Sequence, residues 1–275
     1  METLMSPVAV RAAAAVLAAA RRSGIPLDRL PPDLVPPTIP DAYRVQLELL
    51  RQLTGERGPR GGWKIGCTTA VMQAYLRISS PSAGTLYART IAHGSGEFAI
   101  GRTRLGVECE LAVRLGADLV GPAARDARAV AATVAAVMPA IEVVEDRYVS
   151  YPALDAGTLV ADDFFGAGCV LGPETTDWRA LELGTVTASM AIDGVEVGRG
   201  AGRDILGDPL EALRWLAAWA DELAEPLRAG QVVLLGSLVQ THWVVPGSVV
   251  EVRNVPLGDV RATFVGGEVG EGVAG

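Results

Sequence analysis

Val107-Glu108-Cys109-Glu110-Leu111-Ala112-Val113 reads as a β-strand in which two acids stand two residues apart. Side chains alternate across a strand, so Glu108 and Glu110 share one face while Val107, Cys109 and Leu111 share the other. Two carboxylates side by side repel unless a cation or a shared proton stabilises them. A hard divalent ion that prefers oxygen ligands, Mg2+ or Mn2+, would do so. A third acid stands in a similar setting, within the apolar run Pro139-Ala140-Ile141-Glu142-Val143-Val144. Charged side chains in such runs are rarely buried without a partner, so Glu108, Glu110 and Glu142 suggest one metal site. The alternative is a wet antiparallel strand whose acids pair with Arg104 or Arg114.

Around these strands, β-type runs alternate with turn signals from Gly61 onward. The C-terminal part is mostly strand: 185–192, a hairpin turn at Asp193-Gly194, 195–198, 231–235, 238–245, a Pro246-Gly247 turn, 248–253 and 259–265. Residues 126–138, rich in alanine and valine and ending before Pro139, read as a helix. Asp208-Pro209 opens another, with Leu210, Leu213, Leu216, Ala220 and Leu223 at helical spacing until Gly230. Upstream, Ser6-Pro7 is a cap with a first-turn proline and Gly24 a stop, which predicts a helix over 7–22. Prolines 26, 31, 32, 36, 37 and 40 make an extended connector, and Asp41 caps a helix over 42–53 that ends at Gly55. The expected architecture is α+β. A mixed, mostly antiparallel sheet forms a roll or sandwich over 56–275, the domain that carries the suggested metal site, with an N-terminal helical appendage over 1–55. Gly198-Arg199-Gly200-Ala201-Gly202 follows a hairpin instead of opening a βαβ unit, so it reads as a turn that brings backbone close to the sheet or site, against a nucleotide loop. The glycine-rich tail after Val265 is expected to fray.

Lys64 is the one lysine among 24 basic residues. Arginine holds charge almost anywhere but cannot be deprotonated in a protein, whereas a buried lysine shifts its pKa readily. Glycines bracket Lys64 in Gly61-Gly62-Trp63-Lys64-Ile65-Gly66-Cys67-Thr68, an odd place for a stray surface charge. It is therefore a candidate for proton chemistry, with codon bias in a GC-rich genome as the bland alternative. The net charge of −8 argues against nucleic-acid binding, which needs a basic face. Cys67, Cys109 and Cys169 are odd in number and far apart, which suits a reducing cytoplasm better than a disulfide framework. The alanine-rich run Ala12 to Ala20 is far short of a membrane span and reads as a packed helix, with a signal peptide as the lesser alternative.

These residues resemble a family. Gly62-Trp63-Lys64-Ile65-Gly66, Pro81-Ser82-Ala83-Gly84, Glu108-Cys109-Glu110, Pro139-Ala140-Ile141-Glu142, Ala161-Asp162-Asp163, Leu206-Gly207-Asp208-Pro209 and Gly236-Ser237 follow the order and spacing of the fumarylacetoacetate hydrolase superfamily. The branch it is most similar to contains the 2-keto-4-pentenoate hydratases and 4-oxalocrotonate decarboxylases, and the match covers roughly residues 41–265. The resemblance implies a mixed-β fold with Glu108, Glu110 and Glu142 as ligands of Mg2+ or Mn2+. It implies a small anionic 2-oxo acid substrate, held by the metal through its carboxylate and 2-oxo or enol oxygen, so that a Lewis acid stabilises a dienolate. Water then adds to the alkene, or carbon dioxide leaves. Lys64 matches the family's active-site lysine, with a pKa expected to be lowered by its apolar strand and the metal while the glutamates oppose that shift. Ser237 matches a position near the substrate carboxylate, and Gly66 and Ser82 fall in the substrate-binding motifs. His93, in a loop, and His242, in a strand beside Trp243, have weaker claims.

Two departures stand out. Where the family commonly has an aspartate in a Pro-Asp-aromatic-Gly segment, this chain has Ser82 and Ala83, so an acid or base is missing there. Where relatives often read Ala-Asp-Asn, it has Asp162-Asp163-Phe164-Phe165; Asp163 is the replacement candidate for a polar or catalytic contact, and the phenylalanines either narrow the pocket or pack beneath it. The expected function is a hydratase of a short 2-hydroxy-2,4-dienoate or 2-oxo-enoate in an aromatic meta-cleavage-like catabolic pathway, with a 2-oxo acid decarboxylase as the alternative. Carbon–carbon hydrolases of the superfamily typically need a His/Glu pair in a mobile lid, and Cys67 to Ser80 contains neither histidine nor acid. A non-catalytic binding subunit is the remaining alternative. A homodimer or larger homo-oligomer and a pathway-partner enzyme are expected, with no membrane partner.

Overall fold

Ser6 begins the first helix, α1 (Pro7–Ser23), by accepting the Ala9 N–H at 3.2 Å, and Gly24 ends it at φ 61°. A computed structural model describes residues 4–68, 73, 74, 76, 78–151 and 154–267. The tail from 268, and residues 69–72, 75 and 77 of the segment expected to cover the site, lie outside the described residues. Helix α2 runs from Ile39 to Arg57, longer at both ends than the sequence suggested. Thr38, not Asp41, is its cap; Asp41 is buried and accepts the Met5 N–H at 3.1 Å and Arg44 at 2.8 Å.

The remaining elements are β1 (Arg60–Gly66), β2 (Ser82–Tyr87), β3 (Ile91–His93), β4 (Ser95–Ile100), β5 (Arg104–Leu115), α3 (Ala127–Thr133), β6 (Val134–Asp146), α4 (Ala156–Ala161), β7 (Gly166–Leu171), β8 (Thr187–Ile192), β9 (Val195–Ala201), α5 (Pro209–Glu222), β10 (Val232–Trp243), β11 (Val249–Val255) and β12 (Gly258–Gly266). They form two mixed, mostly antiparallel sheets: β2-β1-β10-β5-β6-β7-β3 and β4-β12-β11-β8-β9.

Four sequence expectations change. The helix expected over 126–138 stops at Thr133, and Val134 starts the long strand β6, because Val134–Met138 continue the pairing of β6 with β5. Pro139 interrupts nothing: its carbonyl accepts the Gly172 N–H, so its missing N–H faces the turn after β7 and not β5. Helix α5 ends at Glu222 instead of nearing Gly230, because Ala224 turns left-handed (φ 57°) just before Glu225-Pro226. Strands 231–235 and 238–245 are one strand, β10, with register shifts around Ser237. Gly198–Gly202 is not a turn. Gly198 and Gly200 lie within β9, where a Cβ would collide with Val239 and Leu238, so the glycines let the second sheet press onto β10.

The seven-stranded sheet is curled. Lys64 on β1 and Glu142 on β6 are three strand spacings apart, about 14 Å in a flat sheet, yet their side chains meet at 2.7 Å. Contact between β2 and β7 helps close the curl. The outer face carries Trp63, Ile65, Val107, Cys109, Leu111 and Ile141 into the main core. There the second sheet and the helices cover it; Trp219 of α5, for example, sits between Tyr43 (4.4 Å) and Trp63 (5.9 Å). The inner face holds a separate apolar cluster that includes Leu86, Ala112, Met138, Ala140, Leu171 and Leu234. One step further along the same strands, that face carries the acids.

Candidate metal centre

Glu108 stands directly opposite Glu142 across the β5/β6 ladder, and Glu110 is two residues further on β5, so all three project from the inner face. One carboxylate oxygen from each lies within 4.8 Å of the others. Glu110 and Glu142 are buried and Glu108 half-buried, so the cluster opens toward solvent at Glu108. The wet-strand alternative fails: Arg104 pairs with Asp146 and Arg114 with Glu174, so neither of these arginines serves the two acids. Burial pushes Glu110 well above its ordinary carboxylate value, with repulsion from Glu142 and Glu108 adding to it. Burial pushes Glu142 up to about 7, despite the opposing charge of Lys64. Three oxygen donors this close, two of them forced toward neutrality, fit a hard divalent cation, which would remove the repulsion while satisfying the oxygens.

Lys64 Nζ lies 2.7 Å from Glu142 Oε1 and donates to the Phe164 carbonyl at 2.7 Å. Burial pulls its pKa down, but Glu142 and Glu108 pull harder, and the balance is above the ordinary lysine value. The lowering expected from the apolar strand is thus reversed by the carboxylates that the curl brings to it.

Asp163 approaches the lysine from behind. A methyl group on Gly84 would sit 2.8 Å from Lys64 Cε and 3.0 Å from Asp163 Oδ1, so both side chains converge on that glycine. The Thr85 N–H donates to Asp163 Oδ1 at 2.6 Å, while buried Oδ2 has no hydrogen-bond partner among the described residues. Burial raises the Asp163 carboxyl above its ordinary range. Asp163, Phe164 and Phe165 are all left-handed, at φ 60°, 45° and 64°. Each costs roughly 1–2 kcal/mol in a residue with a Cβ, so the turn must be held from outside. Phe165 meets Tyr148 and Tyr151 edge-on and Phe164 packs against the main core, so the pair serve as packing.

The other candidates are distributed around this centre. Ser237 pairs with Glu110 in register, but its hydroxyl donates to the Val239 carbonyl at 2.6 Å. Gly66 and Ser82 face each other at the end of the β1/β2 ladder, with Ser82 buried and 3.9 Å from Cys67 Sγ. His93 is exposed at the end of β3, not in a loop, and His242 pairs with Val107 on the face opposite the acids. Sequence reading missed two polar partners of the acids. The Gly236 N–H donates to Glu110 Oε2 at 2.7 Å, and the Thr241 hydroxyl bonds Glu108 Oε1. Gly236 has φ 135° and would bring a Cβ within 2.8 Å of Thr68, so its glycine was the available signal. Thr241 gave none.

A curled mixed sheet with three carboxylates and one lysine on its inner face defines a fold class shared with known enzymes. The chain belongs to the fumarylacetoacetate hydrolase family: the model for Fumarylacetoacetate (FAA) hydrolase C-terminal matches residues 75–265. It is 36% identical over 259 residues to 2-keto-4-pentenoate hydratase 2 of Dechloromonas aromatica (strain RCB), covering 94% of this chain and 98% of that one. It is 31% identical over 230 residues to a 4-oxalocrotonate decarboxylase of Pseudomonas putida, covering 83% and 86%. The solved structure of 4-oxalocrotonate decarboxylase from Pseudomonas putida G7, complexed with magnesium and adipate, aligns with a TM-score of 0.86 at 28% identity over 95% of this chain and 99% of that one. Hydratases and decarboxylases of these kinds are both lyases.

Proposed function

We propose that this protein is a hydratase of a short 2-hydroxy-2,4-dienoate or 2-oxo-enoate. The observation that carries the reading is the convergence of Glu108, Glu110 and Glu142 beside a buried lysine, in a chain whose curated relatives include 2-keto-4-pentenoate hydratases. Glu108, Glu110 and Glu142 would hold Mg2+ or Mn2+; the G7 decarboxylase was solved with magnesium. Such an ion supplies Lewis acidity to the oxygens of a 2-oxo acid. The protein supplies the rest. Lys64 Nζ, held by Glu142 and the Phe164 carbonyl, offers a proton donor and a fixed positive charge beside the reacting oxygens. Asp163 provides the carboxyl that Ser82 does not, through Oδ2, and passes a proton on the Lys64 side of the site. Ser237, Ser82 and Gly66 line the approach for the anionic end of the substrate. Hydration then needs water delivered to the conjugated carbon and a proton returned to its neighbour.

Decarboxylation is the second reading, favoured by the close structural match to 4-oxalocrotonate decarboxylase. The two reactions share the stabilised enolate and differ in whether water arrives or carbon dioxide leaves. Mass-resolved product analysis with 2-hydroxy-2,4-dienoates and 2-oxo acids separates them, since hydration adds one water and decarboxylation removes one carbon dioxide. Activity should vanish in chelator and return with Mg2+ or Mn2+. Full activity in excess chelator, with no metal found by elemental analysis, rejects the metal role.

The cytoplasmic setting belongs to the same proposal and is supported by three free cysteines. So does the homo-oligomer: exposed apolar side chains including Trp243, Val245 and Val255 offer surface for a second copy.

A further inference from the structure

The left-handed turn at Asp163–Phe165 presents a run of carbonyls, and each is assigned. The Asp162 carbonyl accepts Arg21 Nη2 at 2.7 Å and Arg147 Nη2 at 3.1 Å. The Asp163 carbonyl accepts the Gly166 N–H. The Phe165 and Gly166 carbonyls accept Arg147 Nη1 at 3.4 and 3.3 Å. The Phe164 carbonyl goes to Lys64. The two guanidiniums also share the Asp162 carboxylate, Arg21 Nε on Oδ1 at 2.9 Å and Arg147 Nε on Oδ2 at 3.1 Å. All three side chains are buried. Burial pushes Asp162 up, but Arg147 and Arg21 outweigh it and hold the carboxyl below its ordinary value.

Arg147 follows directly from β6. Arg21 comes from the last turn of α1, and nothing in the catalytic strands requires a helix there. A simple ion pair needs one contact; Arg21 instead uses two edges of its fork, one on the Asp162 side chain and one on its backbone, which fixes the peptide that enters the strained turn. Turning that peptide would swing the Phe164 carbonyl away from Lys64 Nζ.

We propose that Arg21 is a positioning residue for Lys64: the N-terminal helix reaches through Asp162 to aim the carbonyl that holds the lysine. This rests on Lys64 being the proton-handling group of the proposed reaction. The test exploits the single lysine, because selective [13C]lysine labelling then gives one Cε resonance that reports its surroundings without substrate. Arg21→Gln is expected to shift or broaden that resonance and to lower kcat about 10- to 100-fold, with KM and metal affinity within about twofold of wild type. Arg199→Gln, at an exposed ion pair, is the control and should move neither. In a Lys64→Ala background, Arg21→Gln should cost no further residual turnover. Arg21→Lys keeps the charge without the fork and should recover only part of the rate. It also serves if the glutamine variant does not fold, its second lysine signal being assigned from the Arg21→Lys, Lys64→Arg double variant. An unmoved Lys64 resonance overturns the proposal, whatever happens to kcat. A moved resonance with unchanged kcat upholds the positioning and removes instead the catalytic reading of Lys64.

Discussion

The inner face of the curled sheet has two ends built from the same strands. At one end Ala112 on β5, Met138 and Ala140 on β6, Leu171 on β7 and Leu234 on β10 fill the interior with apolar side chains. At the other, two residues along on β5 and β6, Glu110 and Glu142 occupy equivalent inward positions and face Lys64. The apolar end gains free energy from burial, whereas the acidic end spends it on desolvating and crowding like charges. A sheet that closed only for stability would continue the first pattern. Its switch to carboxylates marks where folding free energy is given up for chemistry.

The contrast can be broken most severely at the acids. Glu110→Ala should abolish divalent-metal binding in calorimetry and leave no measurable turnover, yet unfold at a temperature equal to or above that of metal-free wild type, because it removes a buried, repelled carboxylate. A large loss of stability would show that Glu110 belongs to the structural end after all. Lys64→Arg should keep metal affinity and the positive charge but lower turnover by about 10²–10⁴-fold, the scale of one lost general acid–base group; undiminished turnover would reject the proton-transfer role. Met138→Ala probes the other end. It should cost about 2–5 kcal/mol in denaturant unfolding while leaving the metal dissociation constant unchanged, and altered metal affinity would mean that the two ends are mechanically coupled.

The smallest effect is on pH dependence. Glu142 is held at about 7 against an ordinary 4.5, and burial raises Glu110 well above its ordinary value too. A carboxyl whose folded pKa is raised binds its proton more tightly folded than unfolded, so metal-free stability is lost as pH climbs from 4.5 through about 7. The raised Lys64 does not oppose this, because its contribution is lost only above its ordinary value of 10.5. The metal-free melting temperature should therefore fall between about pH 5 and pH 8, and added Mg2+ should raise it more at the upper end. A metal-induced gain that is larger at low pH would contradict the assignment of these acids as ligands.

Much of this was legible from periodicity. The i, i+2 spacing of Glu108 and Glu110 put both on one face, and the apolar surroundings of Glu142 marked it as a partner, because strand geometry acts locally. The first helix was legible from its cap at Ser6 and its stop at Gly24, whereas the second was placed correctly but its cap is Thr38 and it runs past Gly55 to Arg57. Errors arose where long-range pairing overruled local preference. Val134–Met138 looked helical by composition but gained more from the ladder with β5. The glycines at 198 and 200 do bring backbone close to the sheet, as their reading from sequence had it, but from within β9 and not from a turn.

The amino-acid order determined which chemical groups were available: three inward acids, one lysine, a second aspartate in Asp162-Asp163, and glycines beside them. Tertiary structure decided what those groups are to one another. Lys64 and Glu142 lie three strands apart and meet only because the sheet curls. Their meeting helps raise the lysine's pKa where its strand alone predicted a fall: burial is the largest single influence, but Glu142, Glu108 and Asp163 together outweigh it. Arg21 gave no sign of a role beyond the surface of an N-terminal helix. Electrostatic and hydrogen-bond energies depend on separation in space, which local sequence pattern does not encode.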